Sequence, residues 1–281
     1  MKTNTKLFFA KIILKLLLVI GFNKNLIISR NKIKWDLDIS EGIDLSLFLF
    51  GSFQKKLTLS IFNLIKNQKN QFSFFNIIDI GSNIGDKSLS LTKMLLDQNI
   101  KNFKVFSIEP TNYAFNKQIK NIKLNPKLKK KIQNYKIFIS SNKKKPSKIY
   151  SSWKLNGSES RHQIHGGILK SINKKTKTIS LDEFIKKNKI KEKIIIKIDV
   201  DGFEIDVIKS LQIILKKKSP IIFMEYAPYA FEEHGYSIAK FNKLLKKYNY
   251  KIYNLNFKKL DFVKVGEKAS TDIILTKDKL F

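Results

Sequence analysis

The stretch NIIDIGSNIGDKSLSL, residues 76–91, decides the fold. An apolar run reaches Asp79, breaks on Gly81 and Gly85, and passes at once into a helical pattern. A strand that ends in an acid, a turn nearly free of side chains and an immediate helix together open a βαβ unit. In an open parallel sheet, ligands bind beyond the carboxyl ends of the strands, where such turns lie. Gly81 and Gly85 allow a tight turn and a close ligand approach, and amides at the helix start can face polar groups. The spacing G-x-x-x-G lacks the central glycine of a dinucleotide fingerprint, and there is no P-loop lysine. The turn therefore suits a nucleoside without a diphosphate.

Outward from this stretch, strands and helices alternate. FFNIIDI (74–80), FKVFSIEP (103–110) and YKIFIS (135–140) read as strands, with helices over 86–98 and 112–125 between them. The pattern predicts an α/β fold, a parallel sheet with helices on both faces. From about 142 to 178 it lapses into Lys, Ser, Asn and Gly, with short pieces such as KIYSSW (148–153) that could form a hairpin. We read this as an insertion facing substrate, because long irregular loops in compact domains are usually functional. The alternation resumes at SLDEFIKK (180–187) and continues to TDIILT (271–276).

Two strand ends carry acids that matter for chemistry. FSIEP (106–110) leaves Glu109 at a strand's carboxyl end, where a carboxylate can accept hydrogen bonds from both ribose hydroxyls. In IIIKIDVDGFEIDVIKS (194–210), Asp199 ends an apolar strand, Asp201 and Gly202 form a turn, and Glu204 opens a helix whose dipole suits its charge. Three readings of these acids stay open. They could hold a divalent metal, cap the helix as solvated acids, or grip and deprotonate a substrate hydroxyl beside the nucleoside pocket.

The 281-residue chain suits one large α/β domain behind a short N-terminal extension, residues 1–31. It has no cysteine, which excludes disulfides and thiolate chemistry and fits a reducing cytoplasm. The net charge of +32 would ordinarily suggest a polyanionic partner. Lysine, however, is spread along every segment, arginine occurs only at Arg30 and Arg161, and no nucleic-acid recognition motif is present. No nucleic-acid partner is expected, while an anionic membrane surface or an acidic glycan stays compatible. The run LFFAKIILKLLLVIGF (7–22) is interrupted by Lys11 and Lys15 and falls short of the roughly 20 residues needed to span a bilayer. It reads as an amphipathic helix that either packs on its own domain or makes peripheral membrane contact.

Taken together and in order, IIDIGSNIGDKSLSL, FSIEP, SLDEFI and IKIDVDGFEIDVIKS resemble the FkbM family of S-adenosylmethionine-dependent methyltransferases. Upstream, WDLDISEGIDLSLFLFGSFQ (35–54) is similar to the family's N-terminal region, so the resemblance covers roughly residues 32–276, within a domain of 32–281. The glycine turn and EP occur in many methyltransferases, and KIDVDGFE is the specific segment. The resemblance implies a class I (Rossmann-like) methyltransferase fold, a seven-stranded, mostly parallel sheet whose last strand is antiparallel. It implies O-methylation of hydroxyls on sugars or natural products, with S-adenosylmethionine as cofactor; no residue is assigned to a metal, and the metal reading of the acids at 199–204 stays open. Asp79, Gly81, Asn83 and Gly85 would shape the methionine and ribose end of the pocket, Glu109 would hold the ribose, and Ser140 and Ser141 would lie near adenine. The chain departs from the family at Gln54, where glutamate is usual, and at Thr111, where proline is common.

Methyl transfer from a sulfonium is an in-line displacement, so catalysis comes chiefly from positioning the hydroxyl, with a carboxylate taking its proton. Asp199 is the candidate base, with Glu204 orienting base or substrate and Glu225, at the end of PIIFMEY, next. His165 in the insertion is a competing base. The expected activity is cytoplasmic O-methylation of a glycan or glycolipid precursor, with the enzyme free or peripheral at the membrane. A noncatalytic glycan-binding or scaffold protein and an NAD-dependent oxidoreductase are the alternatives. The intact glycine turn and Glu109 weigh against the first, and the absent central glycine against the second.

Overall fold

The computed structural model describes residues 3–142 and 144–280. Two residues of the N-terminal extension, Lys143 of the insertion and the last residue of the domain lie outside them. Helix α1 (Thr3–Val19) leads into a hairpin of β1 (Asn25–Arg30) and β2 (Ile33–Asp38), followed by α2 (Gly42–Phe50) and α3 (Lys55–Gln68). The alternating half begins with β3 (Phe75–Ile80), α4 (Asp86–Asp97), β4 (Phe103–Ile108), α5 (Asn112–Lys123), the single turn α6 (Pro126–Lys129) and β5 (Ile132–Tyr135). Short strands β6 (Ile137–Ile139), β7 (Lys148–Ser152), β8 (Ile168–Ser171) and β9 (Lys177–Ile179) follow. The chain then runs through α7 (Leu181–Lys187), β10 (Lys193–Ile198), α8 (Glu204–Lys209), α9 (Gln212–Lys217), β11 (Ile221–Tyr226), α10 (Pro228–Glu233) and α11 (Ile238–Lys247). It ends with β12 (Lys251–Tyr253), β13 (Lys259–Leu260) and β14 (Thr271–Thr276).

The main sheet has the order β13-β12-β14-β11-β10-β3-β4-β5. Strands β5, β4, β3, β10 and β11 are parallel, and β14 runs antiparallel beside β11. Its eight strands correct the expected seven. After β12 the Asn254 side chain accepts the amides of Asn256 and Lys258, and this turn folds Lys259–Leu260 back onto the sheet edge. YKIFIS is likewise not one strand of the sheet. The segment parts at Lys136: Tyr135 ends β5, and β6 leaves to pair with β9 in a separate ribbon.

The buried strands read as continuous apolar runs because helices cover both faces. Phe75 and Ile77 of β3 pack with Leu64, Leu89 and Leu95 on one face, and Ile78 and Ile80 with Phe184, Ile208 and Leu211 on the other. From β3 the chain builds outward to β4 and β5, then returns to add β10 and β11 on the opposite side. The reversal lies between β3 and β10, so their carboxyl ends, at residues 80–83 and 198–202, form the crevice where ligands bind in such sheets.

The insertion stands over that crevice. Strands β7 and β8 form an antiparallel hairpin, and Glu41, just before α2, accepts the Ser152 hydroxyl and the Trp153 amide. Helix α1 lies against the body through Leu14, while Leu7, Ala10, Leu17 and Leu18 pack around it. The boundary expected between residues 31 and 32 falls in the turn of the β1–β2 hairpin.

Candidate active site

A cavity of about 660 Å³ opens over the carboxyl ends of β3, β4, β10 and β11. Its floor includes Gly81, Asn83, Glu109, Asp199 and Glu225, and its walls come from the insertion and from α1 and α2.

Gly81 has φ +73, and a Cβ there would fall deep inside contact distance of the Asp199 carbonyl oxygen. The bare turn thus lets the loop after β10 pack directly on the loop after β3. The amides of Gly81 and Ser82 both donate to Ile108 O, at 3.0 Å each, and the Asn83 amide donates to Glu109 Oε2 at 3.1 Å. These three amides are bonded within the protein and tie the loops after β3 and β4 together. Gly85, at φ +88, lets α4 start against Gln118.

Glu109 is fully committed to the pocket. Its Oε1 accepts the Thr111 amide at 3.0 Å and the Thr111 hydroxyl at 2.6 Å. A proline at 111 could provide neither, so the departure from the family pattern supplies two bonds to this carboxylate. With Asn83, three donors fill three of about four acceptor directions, leaving room for another donor. Burial pushes the carboxyl's pKa upward, and these bonds oppose the shift.

Asp79 and Lys197 face each other across adjacent strands in register. Lys197 Nζ lies 3.2 Å from Asp79 Oδ1 and 3.7 Å from Asp199 Oδ2, and donates to Gly81 O at 2.8 Å. Asp79 also accepts the Ser88 hydroxyl at 2.7 Å and lies beneath the cavity, outside its lining. Burial disfavours the ammonium, but Asp79 and Asp199 prevail and hold its pKa above the ordinary lysine range. The sequence signal for Lys197 is a charged residue inside the apolar run IIIKI, a position that only a buried partner such as Asp79 explains.

Around Asp199 the other acids are pushed toward their neutral forms. Burial, then the charge of Asp199, raises Glu225 to about 8 and Asp201 well above its ordinary value. Burial raises Glu204 to about 7. Glu204 accepts the amides of Val200 at 2.9 Å and Gly202 at 3.0 Å, closing the turn that carries Asp199 and Asp201 without lining the cavity itself. The Asp199 side chain is 23% exposed and faces the cavity. Among the described residues no acid or histidine group has the arrangement to hold a metal ion.

Ser140 and Ser141 lie outside the cavity lining. Ser140 Oγ accepts the Asn142 amide, and the Ser141 hydroxyl is bonded to Asp206 Oδ1. The wall at that edge is apolar, formed by Phe138, Ile139 and Phe203, with the two phenyl rings edge to face at 5.6 Å. The insertion contributes Tyr150, Trp153 and His165. His165 stacks on His162 with centroids 3.9 Å apart. Burial and His162 lower its pKa to about 3. Its Nδ1 accepts the Gly167 amide at 3.1 Å, which leaves the proton on Nε2. His165 is thus a neutral donor, poorly suited to act as base. Gln54 lines the cavity, and so do Asp86 and Lys87, paired at 2.9 Å and not anticipated from sequence.

With this geometry, the chain matches the methyltransferase FkbM domain model over residues 79–252, more than half its length. It belongs to the FkbM methyltransferase family. This FkbM protein is an S-adenosylmethionine-dependent methyltransferase with the class I fold. Among curated proteins no match was found.

Solved structures resemble this FkbM domain only distantly. The METTL16 methyltransferase domain is 12% identical over 96% of this chain and 95% of its own, with TM-score 0.45. TYW2 of Pyrococcus horikoshii, in complex with MeSAdo, is 16% identical over 92% and 74%, with TM-score 0.42. Magnesium protoporphyrin IX methyltransferase of Synechocystis PCC 6803, with bound SAM, is 8% identical over 80% and 79%, with TM-score 0.42. The family match carries the assignment.

The FkbM pocket fits the cofactor. Its volume lies in the range of small-molecule sites, Glu109 retains acceptor capacity, and the apolar wall of Phe138, Ile139 and Phe203 offers a flat-sided surface to a base.

Proposed function

We propose that this FkbM methyltransferase methylates a hydroxyl oxygen of a sugar in a glycan or glycolipid precursor, at the cytoplasmic side of the cell. One observation carries the reading: at the ends of β10 and β11, Asp199 combines 23% side-chain exposure toward the cavity with a lysine partner, while Asp201 and Glu225 beside it are raised toward their neutral forms. A weak nucleophile such as a sugar hydroxyl needs such a carboxylate to accept its proton as the new bond forms.

When bound, S-adenosylmethionine would supply an electrophilic methyl group; Glu109 would hold the ribose hydroxyls, the residue 81–85 turn would hold the methionine end, and Phe138, Ile139 and Phe203 would hold the base. Lys197 holds Asp199 in place. Protonated Glu225, its Oε1 accepting the Ser270 hydroxyl at 2.6 Å, has a proton to donate to an acceptor oxygen, as does His165 Nε2. Tyr150 and Trp153 offer the aromatic faces on which sugar rings commonly stack. Glu204 keeps the Asp199 turn closed.

The test is methyl transfer from labelled S-adenosylmethionine to separate pools of glycolipid, soluble glycan and RNA, with product mass spectrometry locating the methyl. An O-methylated sugar supports the reading. Label confined to nitrogen or to RNA rejects it.

A further inference from the structure

We infer that α1 docks this protein on an anionic membrane surface and turns the cavity's apolar rim toward lipid, so that the acceptor is a membrane-borne amphiphile. The acceptor half rests on the methyltransferase reading above, whereas the docking half stands on α1 alone.

At 3.6 residues per turn, α1 carries apolar side chains on two opposite faces. The face around Leu14 is buried in the core. The opposite face, with Phe8, Ile12, Leu16 and Val19, is exposed, Leu16 at 58% and Val19 at 75%. Lys11 and Lys15 run along one seam between these faces, and Lys6 lies on the other. A helix with two opposite apolar faces is satisfied only when both are covered. No helix among the described residues is long and apolar enough to cross a membrane. Lying in the interface plane satisfies α1, with the outer face among acyl chains and Lys11 and Lys15 reaching anionic headgroups. Charge complementarity selects this occupant, because the outer half of α1 carries cations and no acid.

The same helix forms part of the cavity wall through Leu7, Phe9, Ala10 and Ile13, with Lys6 at its edge, opposite Ile43 and Leu49 of α2. Phe9 and Phe50 belong both to this wall and to the outer surface, 49% and 74% exposed. A continuous apolar path thus joins the docking face to the chamber holding Asp199. An acyl or prenyl tail fits that path, and a free sugar has no use for it.

The experiment is flotation of the full chain with phosphatidylglycerol-containing and pure phosphatidylcholine vesicles at low and high salt. Ile12→Gln with Leu16→Gln blunts the outer face without altering charge or cavity, and Ile213→Gln with Ile238→Gln is the matched control elsewhere on the surface. Salt-sensitive binding to the anionic vesicles is expected, weakened at least about tenfold by the α1 pair and unchanged by the control. Equal binding by all three proteins means diffuse attraction to a basic chain and overturns the docking. So does an α1 pair that turns a dimer into a monomer in ultracentrifugation without vesicle binding. Calorimetry with S-adenosylmethionine must give the same affinity for both forms, which separates loss of docking from loss of the site. For the acceptor half, dodecyl maltoside below its micelle concentration is compared with maltose on the α1 pair variant. At least about tenfold tighter binding of the alkyl glycoside supports a lipid tail in the cavity, and equal binding rejects it.

Discussion

Lys197 lies within ion-pair reach of both Asp79 and Asp199, so one buried ammonium ties the base of the glycine turn to the proposed catalytic carboxylate. Lys197→Met leaves Asp79 buried with only the Ser88 hydroxyl, and unfolding in denaturant should show a loss of about 3–5 kcal/mol. Pairing it with Asp79→Leu should restore much of that loss, because an apolar pair leaves no buried charge. A double variant no more stable than Lys197→Met would show that the two charges are not coupled.

Asp199→Asn keeps the shape of the side chain and removes its basicity. Turnover should fall at least about 10²-fold while S-adenosylmethionine affinity changes little. Full turnover in this variant would remove Asp199 from the chemistry.

Glu109→Ala takes away the acceptor nearest the proposed ribose position. Calorimetry should show cofactor binding weaker by about 1.5–3 kcal/mol, the range for hydrogen bonds to charged groups. Thr111→Pro, which withdraws two donors from the same carboxylate, should produce a smaller loss in the same direction. Wild-type affinity in Glu109→Ala would place the ribose elsewhere.

Gly81→Ala forces a side chain into the Asp199 carbonyl at a left-handed φ. Overpacking and backbone strain together should cost about 2–5 kcal/mol, read as a lowered melting temperature. A variant that melts like wild type would show that the two loops can separate freely.

Glu225 titrates at about 8 in the folded chain against an ordinary 4.5, through burial and the charge of Asp199. Between those values the native state holds a proton that the unfolded chain has lost. Its contribution therefore lowers stability as pH rises from about 4.5 to about 8, and levels off above. Glu225→Gln removes that slope, so calorimetric melting curves should coincide near pH 5 and the variant should melt higher at about pH 8.5. Curves that run parallel across this range would reject the raised carboxyl.

The sequence by itself determined where β3, β4, β10 and β11 end, because apolar runs, glycine turns and helix periodicity are local signals, whereas YKIFIS carried no sign that the chain leaves the sheet at Lys136. Asp79, Glu109, Asp199 and Glu225 could be placed at strand ends, and Gly81 in a turn, without knowing what lay beside them. What those side chains touch depended on strand order and on loops far apart in sequence. Only the folded chain set β10 beside β3 in the register that puts Lys197 against Asp79. Only there did Ser141 bond to Asp206, and β6 leave the sheet so that Phe138 and Ile139 faced the cavity. Helix α1 shows the same division. Its sequence made two opposite faces apolar, and packing on Leu14 decided which was buried and which stayed exposed, because a helix cannot select its covered face before it meets a partner surface.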